Sequence, residues 1–414
     1  MRRAGLFHPG RQHSWQTAAA LGEAGALAWH ATAIYYDPAR LPYRAADLVP
    51  GPAGARLRAL LRRRASPMLD PARIRHVPAM EWTEQALARA GWRGGAGQAN
   101  RIGNALFQRG VLKLFRREPV ELLWGYDTSC DFLFSRPETQ SAVRVLDQAG
   151  GHACAVRQIM LQQRERHPEW FAGDSDIPDA QEVARADRES RHCSHAVVGA
   201  RHAAATLVAR GMAGERVHVV PYGYDETRFP AAPIERSGLG GLPVRFVFVG
   251  AVGPRKGVHL LLQAFRGIPA RLASLRLVGP LAMPERLLRG AGENVEYCPA
   301  LPHDRIVEEY ARAHCFVFPT LIDGGGIVLY EAAACGLGIV QSPTCGDGVR
   351  NGPLGSNGIV LREASVDALR EAIERVVANP AILRDWSAAS WAMRQERSWS
   401  AYRKRIVELL PRLV

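Results

Sequence analysis

An alternation constrains this chain more than any other feature. Short apolar runs give way to helical repeats along almost the whole sequence. The first half offers AGLF (4–7), AWHATAIY (28–35), ELLWGY (121–126), AVRVLD (142–147), HAVVGA (195–200) and VHVVPYG (217–223) as strands. The second half offers VRFVFVGA (244–251), LRLVG (275–279), VEYC (295–298), CFVFPT (315–320) and GIVQS (338–342). Helical patterns such as HSWQTAAALGEAG, HDRIVEEYARA and SVDALREAIERVVAN lie between them. This is the pattern of parallel sheets with crossover helices. With 414 residues the chain is long enough for two such domains. Residues 229–243, FPAAPIERSGLGGLP, lack any period and are rich in Pro and Gly, which reads as an interdomain linker. The expected division is a first domain at 1–229, a linker at 230–243, a second domain at 244–392, and a C-terminal helix at 393–414 packing back toward the first domain. Doubly wound sheets bind ligands at the carboxyl ends of their strands, and two facing each other make a cleft.

Composition narrows the partners. The seven cysteines are odd in number and none has C-x-x-C spacing. Neither a disulfide framework nor a zinc site is indicated, and the scatter fits a reducing cytosol. No run of about 18 apolar residues occurs, so no membrane span is expected. The opening MRRAGLFHPGRQHSW lacks an apolar core and reads as a strand entering a loop rather than a signal peptide. A net charge of +13 asks for an anionic partner: nucleic acid, an anionic membrane surface, or phosphorylated small molecules. The competing explanation is arginine usage in a GC-rich genome, because only Lys113, Lys256 and Lys404 are lysines. Residues 51–66, GPAGARLRALLRRRAS, combine five arginines with Leu57, Leu60 and Leu61. They form either a basic helix lying on an anionic membrane or a solvated surface helix of a basic protein.

Two segments carry the chemistry. GAVGPRKGVHLLLQAF (250–265) follows the strand VRFVFV, turns at glycines, and places Arg255 and Lys256 just before a helix. A helix N-terminus with two added cations suits a diphosphate. A solvent-exposed basic turn is the other reading. The Walker A pattern fails, since Lys256 is followed by Gly257, and G-x-G-x-x-G is absent. In CFVFPTLIDGGGIVLYEAAACGLGIV (315–340) a buried strand runs into Asp323, three glycines, and a helix carrying Glu331. Eight helical steps span roughly 12 Å, so the two carboxylates are no acid–base dyad if both lie on the helix. With Asp323 on the loop, each can take a different part of one ligand. The plainer reading makes Asp323 an N-cap and Glu331 an exposed helix residue. GDSD (173–176) imitates a metal-binding D-x-D, but WFAGDSDIPDA has no strand before it and reads as a surface loop.

These segments resemble the GT-B-fold glycosyltransferases grouped as family 4. GPRKGVHLLLQAF is similar to their R-K-G segment, and DGGGIVLYEAAACGLGIV to their E-x7-E region. HAVVGARHAAATLVARGMAGERVHVVPYGYDETRF (195–229) resembles the segment ending in P-x-G-V-D. The resemblance implies an α/β fold of two doubly wound Rossmann-like domains facing a cleft. It implies a retaining hexosyltransferase that attacks from the front face with no covalent enzyme intermediate, the departing diphosphate helping to take the acceptor proton. Arg255 and Lys256 would bind the donor diphosphate, beside Gly253. Glu331 would bind the donor ribose. Asp323 and the backbone at Gly324, Gly325 and Gly326 would face the donor sugar, and Ile327 and Val328 would lie near the nucleotide. Here Asp323 replaces the usual Glu and Gly325 the usual Phe. No metal or other cofactor is implied; a nucleotide-diphosphate sugar is the co-substrate.

The first half is expected to hold the acceptor, a sugar or lipid-linked intermediate of a cell-surface polysaccharide. The protein would then be cytoplasmic, at the inner face of the plasma membrane. Three loops follow strand ends: HPGRQHSW (8–15), GYDTSC (125–130) and DQAGGH (147–152). They supply Gly10, His13 and Asp127 as acceptor candidates. The family often places a histidine after the strand matching AVRVL, so Asp147 or His152 joins Asp323 as a catalytic candidate. For His8, His13, Asp127 and His152 a structural role competes with each assignment. A nucleic-acid-binding protein is the rival class, on charge alone. It lacks any helix-turn-helix, zinc, RRM or OB signature, so no nucleic-acid partner is expected. Within enzymes, a GT-B-fold epimerase or phosphorylase is the rival.

Overall fold

The computed structural model describes residues 3–37, 43–62, 64–171, 177–352 and 354–413. The GDSD run and Arg63 of the basic segment lie outside the described residues. The first sheet contains β1 (Ala4–Phe7), β2 (Leu27–Thr32), β3 (Ile74–His76), β4 (Leu122–Tyr126), β5 (Val143–Gln148), β6 (His195–Val198) and β7 (Val217–Val219). Its order is β3-β2-β1-β4-β5-β6-β7. The second contains β8 (Val244–Val249), β9 (Ala273–Val278), β10 (Val295–Cys298), β11 (Cys315–Phe318) and β12 (Gly338–Gln341). After a two-stranded antiparallel ribbon, β13 (Asn351–Gly352) with β14 (Gly355–Ser356), β15 (Gly358–Val360) closes it in the order β10-β9-β8-β11-β12-β15. The fold is α/β and doubly wound, as the alternation predicts. Every quoted apolar run contains a strand, and β1, β2, β4, β8 and β11 are buried along nearly their whole length.

Both sheets reverse their winding once. The order turns between β1 and β4 in the first and between β8 and β11 in the second. At such a switch point the two loops leave in opposite directions and open a crevice at the strands' carboxyl ends. The chain divides into two compact units. One comprises Met1–Asp147, Ala184–Val197 and Arg403–Val414; the other comprises Gln148–Val183 and Val198–Tyr402.

Some elements escape the sequence pattern. Helix Arg93–Arg117 begins in RGGAGQAN, a composition that disfavours helix. Farther along the helix close packing selects glycine: a Cβ at Gly103 would stand 2.8 Å from the Met80 nitrogen, and one at Gly110 would stand 2.4 Å from Val77 Cγ1. Glycine lets this helix lie against 77–80. The segment 230–243 has no helix or strand, yet it is tied down. Arg236 donates to the Cys335 carbonyl, Arg245 to the Ser237 carbonyl (2.7 Å), and Arg384 to the Leu239 carbonyl (3.2 Å). In the basic segment, helix Gly51–Arg62 buries Leu61 against Tyr36, Tyr43 and Ala65 and leaves Leu57 and Leu60 exposed.

Candidate functional site

The second sheet's switch point brings two of the expected residues into contact. After β8, the loop runs beside the loop after β9: Val252 N donates to Pro280 O (2.8 Å) and Ala282 N to Val252 O (2.9 Å). Gly253 is wedged there, since a Cβ would lie 2.7 Å from the Ala282 carbonyl. Pro254–Lys256 then make one 3-10 turn, and Gly257, at φ +70°, caps helix Val258–Phe265. Any side chain at 257 would meet Pro319 O at 1.9 Å, so the turn is pressed onto the end of β11. Arg255 is exposed. Lys256 is mostly buried; its ammonium sits 5.3 Å over the Phe318 ring and ion-pairs with Asp323.

Asp323 is on the loop after β11, so it cannot share a helix with Glu331. One carboxylate oxygen meets Lys256; the other accepts from Gly325 N (3.2 Å) and Gly326 N (3.1 Å). Burial pushes its pKa up. The charge and hydrogen bond of Lys256, with the Gly325 amide, outweigh that and hold it below the ordinary carboxylate range. The N-cap of helix Ile327–Ala334 is Gly326, at φ +58°, so Asp323 is not the N-cap. The glycines also serve the chain itself. A Cβ at Gly324 would lie 1.6 Å from Ala149 O, and one at Gly325 would lie 2.2 Å from Tyr222 Cδ2. Ile327 and Val328 are half-buried in the first helical turn.

Glu331 is buried rather than exposed. It accepts from the Tyr310 hydroxyl (3.2 Å), and His303 Nε2 stands 3.7 Å away. Burial raises its pKa to about 7, against the lowering effect of the Tyr310 hydrogen bond. Phe316 and Phe318 share one face of β11, with rings stacked at 5.8 Å. Phe318 carries Lys256, and Phe316 packs at 5.9 Å on Tyr310, which holds Glu331. Cation and buried carboxylate thus attach to a single aromatic strip. Tyr310 and His303 escaped the sequence reading, although their seven-residue spacing on HDRIVEEYARA puts them on one helix face.

Asp147 and His13 also meet. Asp147 is fully buried, with one oxygen 2.8 Å from His13 Nε2 and the other accepting from Trp124 Nε1 (3.0 Å). His152 is elsewhere in the chain's packing. It caps helix Ala153–Arg166, where its Nδ1 accepts from Cys154 N (3.2 Å) and its own amide donates to Thr206 Oγ1 (2.9 Å). Asp127 is half-buried, and its amide donates to the Asp147 carbonyl (3.0 Å). Gly10 lines a cavity of about 250 Å³ at the first sheet's switch point, with residues following β1 and β4; His13 and Asp127 are not among its lining residues.

Two doubly wound sheets define the class: this is the GT-B glycosyltransferase fold. Sucrose-phosphate synthase from Thermosynechococcus elongatus superposes over 100% of this chain and 99% of its own, at a TM-score of 0.65 and 18% identity. WaaG, a glycosyltransferase involved in lipopolysaccharide biosynthesis, superposes over 98% and 99%, at 0.58 and 14%. Residues 243–379 match the family model described as Glycosyl transferases group 1. Similar curated proteins include the GDP-mannose-dependent alpha-(1-6)-phosphatidylinositol monomannoside mannosyltransferase of Mycolicibacterium smegmatis. It is 29% identical over 218 residues, 46% of this chain and 55% of that protein. The D-inositol 3-phosphate glycosyltransferase 1 of Catenulispora acidiphila is 28% identical over 58% of this chain and 61% of its own. The chain spans about half the length of the curated relatives it matches. Among the described residues no helix is long and apolar enough to cross a membrane.

Proposed function

We propose that the chain transfers a hexosyl group from a nucleotide-diphosphate sugar to an acceptor hydroxyl, with retention at the anomeric carbon. The observation that carries this reading is the strip on β11, which joins Lys256 and Asp323 at one end to Glu331 at the other. Nucleotide sugars in the names of similar proteins support it: one relative is GDP-mannose-dependent, and HepE of Anabaena was solved with UDP-glucose.

In this reading Arg255 and Lys256 meet the donor diphosphate and stabilise the charge that grows on it as the glycosidic C–O bond breaks. Lys256 is held ready by Asp323, so diphosphate binding exchanges one anion for a stronger one. Asp323, kept ionised by two amides, then stands as a fixed negative charge toward a sugar gaining positive character. Glu331 accepts ribose hydroxyls from its buried position beside Tyr310. The acceptor oxygen attacks on the face the diphosphate leaves, and its proton passes to a departing phosphate oxygen. The products are a glycoside and the nucleoside diphosphate, with no metal or cofactor in the cycle. His152 and Asp147 remain candidates to assist the proton transfer. The acceptor is a sugar or lipid-linked glycan, and helix Gly51–Arg62 rests on an anionic membrane through Arg56, Arg62, Leu57 and Leu60.

The test is thermal unfolding with UDP, GDP or ADP, paired with turnover of Glu331→Ala. One nucleotide diphosphate should raise the melting temperature, and the variant should lose donor use while staying folded. No response to any of the three, or normal turnover of the variant, removes the assignment.

A further inference from the structure

The cavity beside Gly10 has a chemistry of its own. It sits where β1 and β4 diverge, the same place in the first sheet that Lys256 and Asp323 occupy in the second. Helices Glu81–Arg89 and Arg93–Arg117 wall its far side. Both non-glycine residues at positive φ among those described line it: Gln12 at +33° and Thr128 at +73°. Such backbone is costly and persists where the surroundings enforce it. Buried Glu189 does so at Thr128, its carboxylate accepting from the amides of Thr128 (3.1 Å) and Cys130 (2.9 Å).

The wall is a hydrogen-bonded relay. Asn100 Nδ2 donates to Glu84 (2.9 Å), Asn104 Nδ2 to Asn100 Oδ1 (3.0 Å), and Ser129 Oγ to Asn104 Oδ1 (2.8 Å). Glu84 and the Asn100 amide have hydrogen-bonding capacity beyond that relay. Opposite them His8 is 5% exposed, and its Nδ1 completes no hydrogen bond. Burial, the dominant effect, lowers the His8 pKa to about 4 even though the nearby Gly10 backbone raises it, so the ring is neutral at pH 7. Among the described lining residues there is no Lys or Arg, and the two carboxylates are Glu81 and Glu84. Glu81 is balanced by Arg64 at 2.6 Å.

Neutral imidazole and amides donate to and accept from hydroxyl groups, carboxylates accept from them, and the carboxylates repel a second anion. The volume of about 250 Å³ admits a sugar-sized ring. We infer that this cavity takes the acceptor as an uncharged, polyhydroxylated ring, with no phosphate on the part that enters. The word acceptor rests on the transferase reading above; the binding of such a ring does not.

The full chain should be incubated with methyl hexosides, their phosphate esters, and the same rings on a detergent-solubilised lipid tail. Equilibrium dialysis gives affinity, and hydrogen exchange locates protection. A neutral ring should bind at least tenfold more tightly than its phosphate ester and protect amides around 99–104. Glu84→Lys should reverse that order, a gain that loss of structure cannot imitate; if the variant does not fold, the wild-type order decides. Protection by tail-bearing rings alone also supports the inference and assigns the ring to a lipid-linked source. Equal or tighter binding of the esters, an unreversed order in a folded variant, or protection elsewhere overturns it. If nucleotide diphosphates still shift unfolding while no ring protects 99–104, only this inference falls. If rings bind and no nucleotide does, the cavity stands and the transferase reading falls.

Discussion

The two switch points share a topology and differ in almost everything else. After β8 and β11 the chain presents a cation, Lys256, neutralised by an anion that two backbone amides hold in place. After β1 and β4 it presents a neutral histidine, amides and carboxylates with no cation among the described lining residues. On the proposed function, the same crevice geometry serves a phosphate-bearing ligand in one sheet and hydroxyl groups in the other. The topology makes the opening, and a handful of side chains decide which charge may enter.

The sharpest way to break this contrast is Asp323→Ala. It strips Lys256 of its partner and leaves the Gly325 and Gly326 amides without an acceptor. We expect turnover to vanish and stability to fall by about 3 kcal/mol, read by denaturant unfolding. A loss under about 1 kcal/mol would mean that the pair is no more than a surface contact.

Glu331→Gln follows in size. Native Glu331 keeps its proton up to about pH 7, whereas the unfolded chain releases it near the ordinary value of 4.5. Between those values the native state binds more protons, so stability contributed by this site falls as pH rises through the window. The total is on the order of 3 kcal/mol by linkage. The glutamine variant should melt higher than the wild type at pH 8, differ little at pH 4, and fail to use the donor. Parallel melting curves from pH 4 to 8 would contradict the burial argument.

Lys256→Ala leaves Asp323 its two amides and should cost less stability. It should weaken nucleotide-diphosphate binding roughly tenfold to a hundredfold, the worth of a charged hydrogen bond, and nucleoside binding far less. Equal losses, by calorimetry, would deny a phosphate role. The smallest effect belongs to the first unit's surface. Arg56→Gln and Arg62→Gln should each reduce affinity for anionic liposomes by about 1 kcal/mol, with neutral liposomes unaffected. Unchanged sedimentation with anionic vesicles would discard the membrane contact.

The second sheet was the more legible in sequence because its ligand loops are short. Strand, glycine turn and helix follow one another within 244–265, and again within 315–334, so local pattern and the family resemblance together single out Lys256, Asp323 and Glu331. Their partners were not legible. The Lys256–Asp323 pair joins positions 67 apart, and Tyr310 reaches Glu331 across 21. The resemblance has the backbone of the glycine run face a donor sugar, yet the space a side chain would take at Gly324 and Gly325 is filled by Ala149 and Tyr222. The first sheet hid more. Its cavity gathers His8, Glu84, Asn100 and Thr128 from four separate elements, and the wall helix Arg93–Arg117 begins in glycine-rich sequence that local propensity argues against.

Tyr222 and Gly325 are one steric choice written in two places. The ring at 222 stands where a side chain at 325 would grow, so a bulky residue can be kept at either position but not at both. An aromatic side chain introduced at 325 therefore requires the ring at 222 to be trimmed or turned, so the two positions have to change together.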